Sequence, residues 1–396
     1  MEDAGLLGSK KMIDRYVLLA GGRNNSGDYL IELRGGQLLA RLRPDREQII
    51  LNGWEPFSDE TLSLVNDSRA LILLGGPGLQ YEMHGQVYPL CKELDRIKTP
   101  IIMMGIGWNS YTGAWNDSRH YRLLENSMTL LRKIDKSGHA SSVRDYHTLN
   151  ALHHLGIKNC TMTGCPVLYP EGFVGHSLSI PNAVRKVSFS LGVSFVRDNR
   201  IEKQTKEILL KLVKRFGEGH VTVVFHHSFD PEKLHQAYGS KVTHFSQAHQ
   251  RFAAWLDTYA IPKVDISGGS QAMLSHYNSC DLHIGYRVHA HLLRIGMNRP
   301  SVLIAEDGRG LGQQCAIGGA IYCAGNVEKV SWKQRLQQRL GRPMQFPSSA
   351  NINELPDELM YVIENELQTQ FVRNRQSIAA KNAIFQDMHH FIESLP

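Results

Sequence analysis

The stretch Ala70-Leu-Ile-Leu-Leu-Gly-Gly-Pro-Gly78 is an apolar run of strand length that ends in a glycine-rich turn. Two further runs have the same form, Tyr16-Val-Leu-Leu-Ala-Gly-Gly22 and Pro100-Ile-Ile-Met-Met-Gly-Ile-Gly107. Continuously apolar strands of this length are typical of a parallel sheet that is buried on both faces. Residues 85–97 and 121–134 have helical character and the length of crossover helices. The first half of the chain is therefore predicted to be a doubly wound α/β domain.

The second half repeats this alternation of strands and helices. Its predicted strands are residues 187–195, 221–226, 282–286 and 301–305, and its predicted helices are residues 202–216, 249–259 and 271–280. A helical tail over residues 355–395 is predicted to pack back across the junction between the halves. The expected fold class is α/β, with two Rossmann-like domains and a central cleft. Because open α/β sheets bind ligands at the carboxyl ends of their strands, the site is expected in this cleft.

Proline and glycine set the expected domain boundaries. Residues 169–186 break the periodic pattern with Pro170, Gly172, Gly175 and Pro181, so they form the linker candidate. The prediction is an N-terminal domain over residues 1–170, a linker over 171–186, a second domain over 187–345 and a helical tail over 346–396.

The composition is that of a globular protein with a mild excess of positive charge. Of 396 residues, 42% are hydrophobic, and 44 Lys and Arg against 38 Asp and Glu give a net charge of +6. The excess is spread along the chain, which favours anionic ligands and argues against a nucleic-acid-binding protein. The six cysteines form no disulfide framework. No apolar run approaches the roughly 18 residues of a membrane span. The chain is predicted to be cytoplasmic.

The segment from Asp281 to Pro300 carries the clearest indication of chemistry. It passes from a short strand into a helix and puts Arg287 and His289 at the junction. A helix N-terminus exposes unpaired amides and a partial positive charge, so an arginine beside it makes a pocket for phosphate or carboxylate. A histidine adds a proton carrier near neutral pH. The alternative is that Arg287 pairs with a structural carboxylate and that His289 caps the helix.

Turns after two earlier strands are the next candidates. In Asn24-Asn-Ser-Gly-Asp28, which opens a helix, amides around Gly27 can cradle an anion, and Asp28 can accept a sugar hydroxyl or orient an arginine. A helix cap with a turn is the structural alternative. In the loop after residue 74, Gly76 and Gly78 permit close approach of a ligand, and a tight turn explains them equally well.

Arg144 and the histidines complete the candidates. Arg144 follows a predicted short strand and can reach an anion across the cleft, unless it is solvated or locally paired. The chain has 19 histidines, but adjacent ones diverge on a helix or a strand, and no metal-binding motif accompanies them. No metal site is therefore predicted. His226 stays a candidate because it ends a predicted strand at the cleft.

Together these segments resemble the polysaccharide pyruvyl transferase family. The likeness rests on the turn that ends at Asp28, the loop over residues 71–78, Ile-Met-Met-Gly-Ile-Gly107, Ser-Val-Arg-Asp145 and, above all, Cys-Asp-Leu-His-Ile-Gly-Tyr-Arg-Val-His289. Arg-Pro-Ser-Val-Leu-Ile304 follows the last of these, and the motifs keep the family's order over residues 16–320.

The resemblance implies a GT-B-like fold and an enzyme that transfers the enolpyruvyl group of phosphoenolpyruvate to a sugar. The product is a pyruvate ketal, phosphate is released, and phosphoenolpyruvate is a co-substrate rather than a cofactor. Arg287, Val288 and Arg144 would bind this donor, with Arg309 in place of the family's usual lysine. His289 would handle protons. The N-terminal domain would face the acceptor and the second domain the donor.

This chemistry needs both an acid and a base, because a carbon of the donor is protonated while a sugar hydroxyl loses its proton. His289 is proposed as one of the two, and Asp28 and His226 both stay open as the other. The planar fork of arginine suits a carboxylate or a phosphate. Arginines and helix amides would also stabilise the charge of the departing phosphate.

Two other classes of function stay open. A GT-B glycosyltransferase that uses a nucleotide sugar would need an acidic residue in the second domain, and Glu306 or Asp307 can provide one. A non-catalytic glycan-binding module is the second alternative. The acceptor of a pyruvyl transferase would be a polysaccharide such as an exopolysaccharide, a glycan or a lipid-linked precursor. For a lipid-linked acceptor, the net positive charge favours loose contact with the anionic inner face of the membrane.

Overall fold

The computed structural model describes residues 13–22, 24–110, 112–239, 243–325 and 350–396. The described part of the first half contains a parallel sheet in the order β2-β1-β3-β4. Its strands are Ile13–Ala20 (β1), Glu47–Asn52 (β2), Ser68–Leu74 (β3) and Ile101–Met104 (β4). Ser141–Val143 (β5) and Cys160–Met162 (β6) also pair in parallel. A bridge from Ile106, just after β4, to Val143 continues the sheet toward this pair.

The central strands of this sheet are buried on both faces, as their continuous apolar runs predict. Leu18 of β1, Ile72 of β3 and Met103 of β4 are fully buried. The carboxyl ends of these parallel strands lie at one edge of the sheet, so the turns that follow β1 and β3 meet there.

The helices of the first half are Ser26–Leu42 (α1), Asp59–Asn66 (α2), Trp115–Arg119 (α3), Glu125–Asp135 (α4) and Tyr146–His154 (α5). The predicted helix over residues 121–134 is confirmed by α4. The predicted helix over residues 85–97 is wrong, because this described segment contains turns and one 3-10 turn, Leu94–Arg96. Gly85 and Leu90 have φ values of +104° and +48°, which an α-helix does not allow. Pro89 between them cannot donate a helical hydrogen bond.

The described part of the second half contains a six-stranded parallel sheet in the order β12-β11-β10-β7-β8-β9. Its strands are Val187–Ser190 (β7), Val221–Phe225 (β8), Lys263–Asp265 (β9), Leu282–Gly285 (β10), Ser301–Ala305 (β11) and Ile321–Cys323 (β12). The four predicted strands are confirmed: residues 301–305 have the predicted bounds, and the other three strands end one to five residues earlier than predicted. Sequence reasoning missed β9 and β12, because three residues are too few to form a recognisable apolar run.

The helices of this half are Asn199–Phe216 (α6), Pro231–Tyr238 (α7), Thr243–Thr258 (α8), Ser270–Ser279 (α9), Val288–Gly296 (α10) and Gly308–Ile317 (α11). The three predicted helices are confirmed as α6, α8 and α9. The strand order changes direction between β7 and β10, which are neighbours in the sheet. A crevice is expected at the carboxyl ends of two such strands.

Two helices close the described fold at its C-terminus, Leu355–Gln368 (α12) and Val372–Glu393 (α13). Helix α13 packs on α1 and β6 of the first half and on α10 and α11 of the second. Lys381 of α13 donates from Nζ to Phe173 O at 3.2 Å. The predicted α/β fold, with a central cleft and a tail that packs across the junction, is confirmed.

The predicted domain boundaries stay predictions, and the one between residues 345 and 346 lies outside the described residues. None of the described helices combines the length and the apolar character that a membrane span requires.

Candidate active site

A cavity of about 800 Å³ lies between the carboxyl ends of the two sheets. The turns after β1 and β3 line it from the first half, and the β10–α10 and β11–α11 junctions line it from the second half. All ten residues that the sequence analysis selects for the site line this cavity: Gly27, Asp28, Gly76, Gly78, Arg144, His226, Arg287, Val288, His289 and Arg309.

Arg287 is the N-cap residue of α10 and reaches across the end of β7. Its Nε donates to Leu191 O at 2.7 Å, and its Nη2 donates to His227 Nδ1 at 2.9 Å. No carboxylate of the described residues hydrogen-bonds this guanidinium, so the alternative of a structural carboxylate partner is not found. Burial lowers the pKa of Arg287 to about 10, so the side chain remains charged at neutral pH.

His289 is the second residue of α10 and lies against the first turn of α1. A Cβ on Gly27 would lie 2.6 Å from its Nδ1, so glycine leaves the room that the imidazole needs. Its Nε2 is buried and has no hydrogen-bond partner among the described residues. Burial, followed by Arg144, Arg309 and Arg287, lowers the pKa of His289 to about 3. The imidazole is therefore neutral in the free protein.

The turn before α1 is a helix cap. The amide of Gly27 donates to Asn25 Oδ1 at 3.4 Å, and the amide of Ser26 donates to His226 O at 3.3 Å. These amides are already hydrogen-bonded within the protein, which matches the alternative of a cap rather than an anion cradle. The contribution of Gly27 to the site is the space that it leaves for His289.

Asp28 follows in the first turn of α1 and is half-buried at the cavity. Its Oδ2 accepts from Asn25 Nδ2 at 3.1 Å. Burial raises the pKa of Asp28 to about 6, although Asn25 and the nearby Arg309, Arg287 and Arg144 act in the opposite direction. A carboxyl group with a pKa near 6 is largely ionised at neutral pH and can still accept a proton.

Arg144 follows β5 and is 1% exposed, so it is not a solvated arginine. Its Nε and Nη2 have no hydrogen-bond partner among the described residues. The nearest carboxylate oxygen, Asp145 Oδ2, lies 3.7 Å from Nε, which is an ion pair without a hydrogen bond. Gly107 makes room for this side chain, because a Cβ there would overlap the guanidinium. Arg144 thus carries a buried, charged and incompletely satisfied donor group.

Gly76 and Gly78 form a tight turn at the cavity wall. Gly76 has a φ of +69°, and a Cβ on Gly78 would lie 2.7 Å from Tyr88 Oη. Backbone conformation and packing therefore account for both glycines. They still border the cavity, so the turn lets a ligand approach the backbone.

His226 is 1% exposed and joins the two halves. Its Nδ1 and Ser26 Oγ are 3.0 Å apart, and its Nε2 and Tyr277 Oη are 2.8 Å apart. Both ring nitrogens are therefore already engaged. Burial, followed by Arg287 and the neighbouring histidines, holds the pKa of His226 well below its usual range.

Sequence reasoning missed His227, which follows it and also lines the cavity. Because Arg287 can only donate, His227 Nδ1 must accept, and the ring is the neutral tautomer with its proton on Nε2. The available signal was the histidine pair at the end of a strand, where adjacent side chains point to opposite faces.

Two acidic residues after β11 shape the second half of the cavity. Glu306 Oε1 accepts from the amides of Val193 and Ser194 at 3.0 and 2.9 Å. Asp307 Oδ2 accepts from Arg309 Nη2 at 2.6 Å, and this carboxylate raises the pKa of Arg309. The described residues contain no group of three or more His, Cys, Asp or Glu side chains that could hold a metal ion.

Fold and site together define a two-half α/β protein whose cleft gathers arginines from both halves and histidines from the second half. The family model for polysaccharide pyruvyl transferase matches residues 25–308, which is more than half of the chain. The chain therefore belongs to the polysaccharide pyruvyl transferase family, and the resemblance seen in its sequence is confirmed.

Several solved structures are similar to this chain. UDP-GlcNAc 2-epimerase from Methanocaldococcus jannaschii, in complex with UDP-GlcNAc and UDP, has 9% identity and a TM-score of 0.46, over 88% of this chain and 99% of that chain. UDP-GlcNAc 2-epimerase from Neisseria meningitidis has 8% identity and a TM-score of 0.47, over 94% and 99%. An α-glucosyltransferase has 10% identity and a TM-score of 0.45, over 96% and 100%. No curated protein matches the chain significantly.

Proposed function

We propose that this protein transfers the enolpyruvyl group of phosphoenolpyruvate to a sugar, forming a pyruvate ketal and releasing phosphate. The proposal rests mainly on Arg144, because its guanidinium nitrogens Nε and Nη2 are buried and have no hydrogen-bond partner among the described residues. Arg287 lines the same cavity from the other half and hydrogen-bonds uncharged groups. A buried cationic donor without a partner, as in Arg144, favours an anion, and phosphoenolpyruvate offers a carboxylate and a phosphate close together.

The reaction has two steps. First, an acceptor hydroxyl oxygen bonds to C2 of the donor, its proton passes to a base, and C3 gains a proton and becomes a methyl group. Second, a neighbouring hydroxyl forms another bond to C2 while the bond between C2 and the phosphate oxygen breaks. The phosphate leaves with the bonding electrons, and the second hydroxyl loses its proton. Two hydroxyls and one phosphoenolpyruvate thus give one ketal and one phosphate.

His289 and Asp28 divide the proton transfers. Bound phosphoenolpyruvate adds negative charge beside His289, which offsets the arginines and raises the imidazole pKa, so Nε2 can carry the proton that C3 receives. Asp28, largely ionised at neutral pH, takes the proton of the attacking hydroxyl. His226 is the weaker candidate because hydrogen bonds already engage both of its ring nitrogens. We assign His226 a positioning role.

The two acidic residues after β11 favour this reaction over the nucleotide-sugar alternative. An acid that binds the hydroxyls of a ribose must be free to accept their hydrogen bonds. Glu306 instead accepts from two backbone amides, and Asp307 accepts from Arg309. Both carboxylates are therefore already engaged within the protein, which disfavours a ribose-binding role for either.

The test follows phosphate release from phosphoenolpyruvate with sugars offered as polysaccharide, free glycan and lipid-linked precursor. We expect release that depends on the acceptor and falls about 10²- to 10⁴-fold in His289→Ala, with donor binding largely retained. Arg132→Ala is the control, because Arg132 is an exposed residue outside the cavity.

Hydrolysis of nucleotide sugars alone would contradict the proposal. Full biological activity in His289→Ala would instead support a binding module. The cytoplasmic location and the contact with the inner membrane face remain predictions from the sequence.

A further inference from the structure

One wall of the cavity contains polar and aromatic residues that the donor site does not use. Trp54 follows the edge strand β2 and lines the cavity from the first half. The amide of Gly53, just before it, donates to Ala20 O at 2.8 Å. This bond ties Trp54 to the end of β1, and so to the start of the turn that leads to Asp28. Trp54 and the proposed base Asp28 therefore both line the cavity from the first half.

Three further side chains of this wall can hydrogen-bond a ligand. Glu32 lies four residues after Asp28 on α1, so the two carboxyl groups share one face of the helix, and both line the cavity. Burial raises the pKa of Glu32. Gln80, in the loop after β3, donates from Nε2 to Pro77 O at 2.7 Å, which fixes its amide. Gln86 also lines the cavity from the first half.

This set of groups has the chemistry of a site for an uncharged sugar. The flat indole offers an apolar face for the C–H groups of a pyranose ring, and carboxylate and amide oxygens accept hydrogen bonds from hydroxyls. Among the described lining residues from the first half, Asp28 and Glu32 are acidic, and Arg144 is the one cation. Arg144 is assigned to the donor, so nothing described on this wall would neutralise an acidic sugar.

We propose that the wall of Trp54, Glu32, Gln80 and Gln86 binds an uncharged pyranose ring of the acceptor, with Trp54 under the ring and Glu32 accepting from its hydroxyls. This inference rests on the proposed function and adds the position and the chemical class of the acceptor. The ring then lies between Trp54 and the donor, with its reacting hydroxyls near Asp28.

The experiment compares Trp54→Ala, Trp54→Phe and the control Trp115→Ala, an exposed tryptophan outside the cavity. Methyl glucoside, galactoside and mannoside serve as neutral probes, and methyl glucuronide serves as the acidic one. We expect Trp54→Ala to raise the acceptor KM about tenfold or more, with the KM for phosphoenolpyruvate within about twofold. Trp54→Phe should recover most of the loss. In the wild type, the neutral probes should bind more tightly than the glucuronide. Glu32→Gln should reduce this difference in affinity.

Direct binding of the same sugars, measured by calorimetry with phosphoenolpyruvate present, distinguishes a failure of this proposal from a failure of the proposed function. If neutral sugars bind the wild type but not Trp54→Ala, the result supports the proposed sugar-binding wall. It does so even if no phosphate is released, because the absence of phosphate release contradicts only the proposed reaction. Equal sugar binding in wild type and Trp54→Ala, preference for the glucuronide, or no binding of any neutral probe would overturn the assignment.

Discussion

Two glycines determine where the charged side chains of the cavity can lie. A Cβ on Gly107 would overlap the guanidinium of Arg144, and one on Gly27 would lie 2.6 Å from His289 Nδ1. Real Cβ atoms do not approach neighbouring atoms this closely, so any larger residue would displace the side chain. Both glycines therefore act on the site through the residue that each one accommodates.

Gly107→Ala should weaken phosphoenolpyruvate binding about tenfold or more, because the added methyl group moves Arg144 away from the donor. The matched control is Gly269→Ala, since a Cβ on Gly269 would meet nothing within 4 Å. Calorimetric titration of both variants measures the effect. Wild-type affinity for phosphoenolpyruvate in a folded Gly107→Ala variant would show that Arg144 does not bind the donor.

Binding of phosphoenolpyruvate should be accompanied by proton uptake between about pH 3, the pKa of His289 in the free protein, and the raised pKa of His289 in the complex. The pKa of His289 is about 3 in the free protein, and an anion beside the ring raises it, so the complex binds more protons than the free protein at intermediate pH. Calorimetry in buffers of different ionisation enthalpy counts these protons. His289→Gln should remove this contribution, and His153→Gln, an exposed substitution, should retain it. A wild-type protein that takes up no protons would rule out the proposed role of His289.

Among the secondary-structure elements, the β10–α10 junction is one that could be predicted from the sequence. An apolar strand that ends in Arg287 and His289 could be recognised because ligands bind at the carboxyl ends of parallel strands. The contact of Glu306 with Val193 could not, since these residues are 113 positions apart and meet only in the folded chain. The predicted helix over residues 85–97 failed for a local reason, because Gly85, Pro89 and Leu90 interrupt the helical backbone.

Glu306→Gln should loosen the loop after β7. The glutamate carboxylate accepts from the amides of Val193 and Ser194, and a neutral amide oxygen accepts more weakly. We expect these amides to exchange with deuterium about tenfold faster or more, measured by mass spectrometry. Glu364→Gln, which removes an exposed ion pair with Arg215, should leave the loop unchanged. Equal exchange in Glu306→Gln and wild type would show that other contacts hold the loop.

At the scale of the whole molecule, the halves meet at the cavity itself. Asn24 O accepts from the amide of Gly268 at 2.7 Å, and Trp108 Nε1 donates to Gly308 O at 3.1 Å. Together with the contact between Ser26 and His226, these bonds fix how the two halves face each other. The sequence predicted both sheets but not this docking, which depends on individual contacts between residues about 200 positions apart.

His226→Phe should lower stability and leave the pH dependence of kcat with its wild-type shape. The substitution leaves Ser26 Oγ and Tyr277 Oη without this partner, at a cost of about 1–3 kcal/mol. Denaturant unfolding and a pH–rate profile measure the two effects. His289→Gln should change the profile instead. Loss of one limb of the profile in His226→Phe would make His226 the second acid–base group in place of Asp28.

In the proposed complex, Arg144 and Arg287, from opposite halves, hold one small donor with two anionic groups beside His289. A crystal structure with phosphoenolpyruvate bound tests it most directly. We expect Nε or Nη2 of Arg144 to donate to one anionic group, Arg287 to contact the other, and His289 Nε2 to lie within hydrogen-bond reach of the donor. Phosphoenolpyruvate bound elsewhere, or bound with the Arg144 nitrogens still unpartnered, would contradict it.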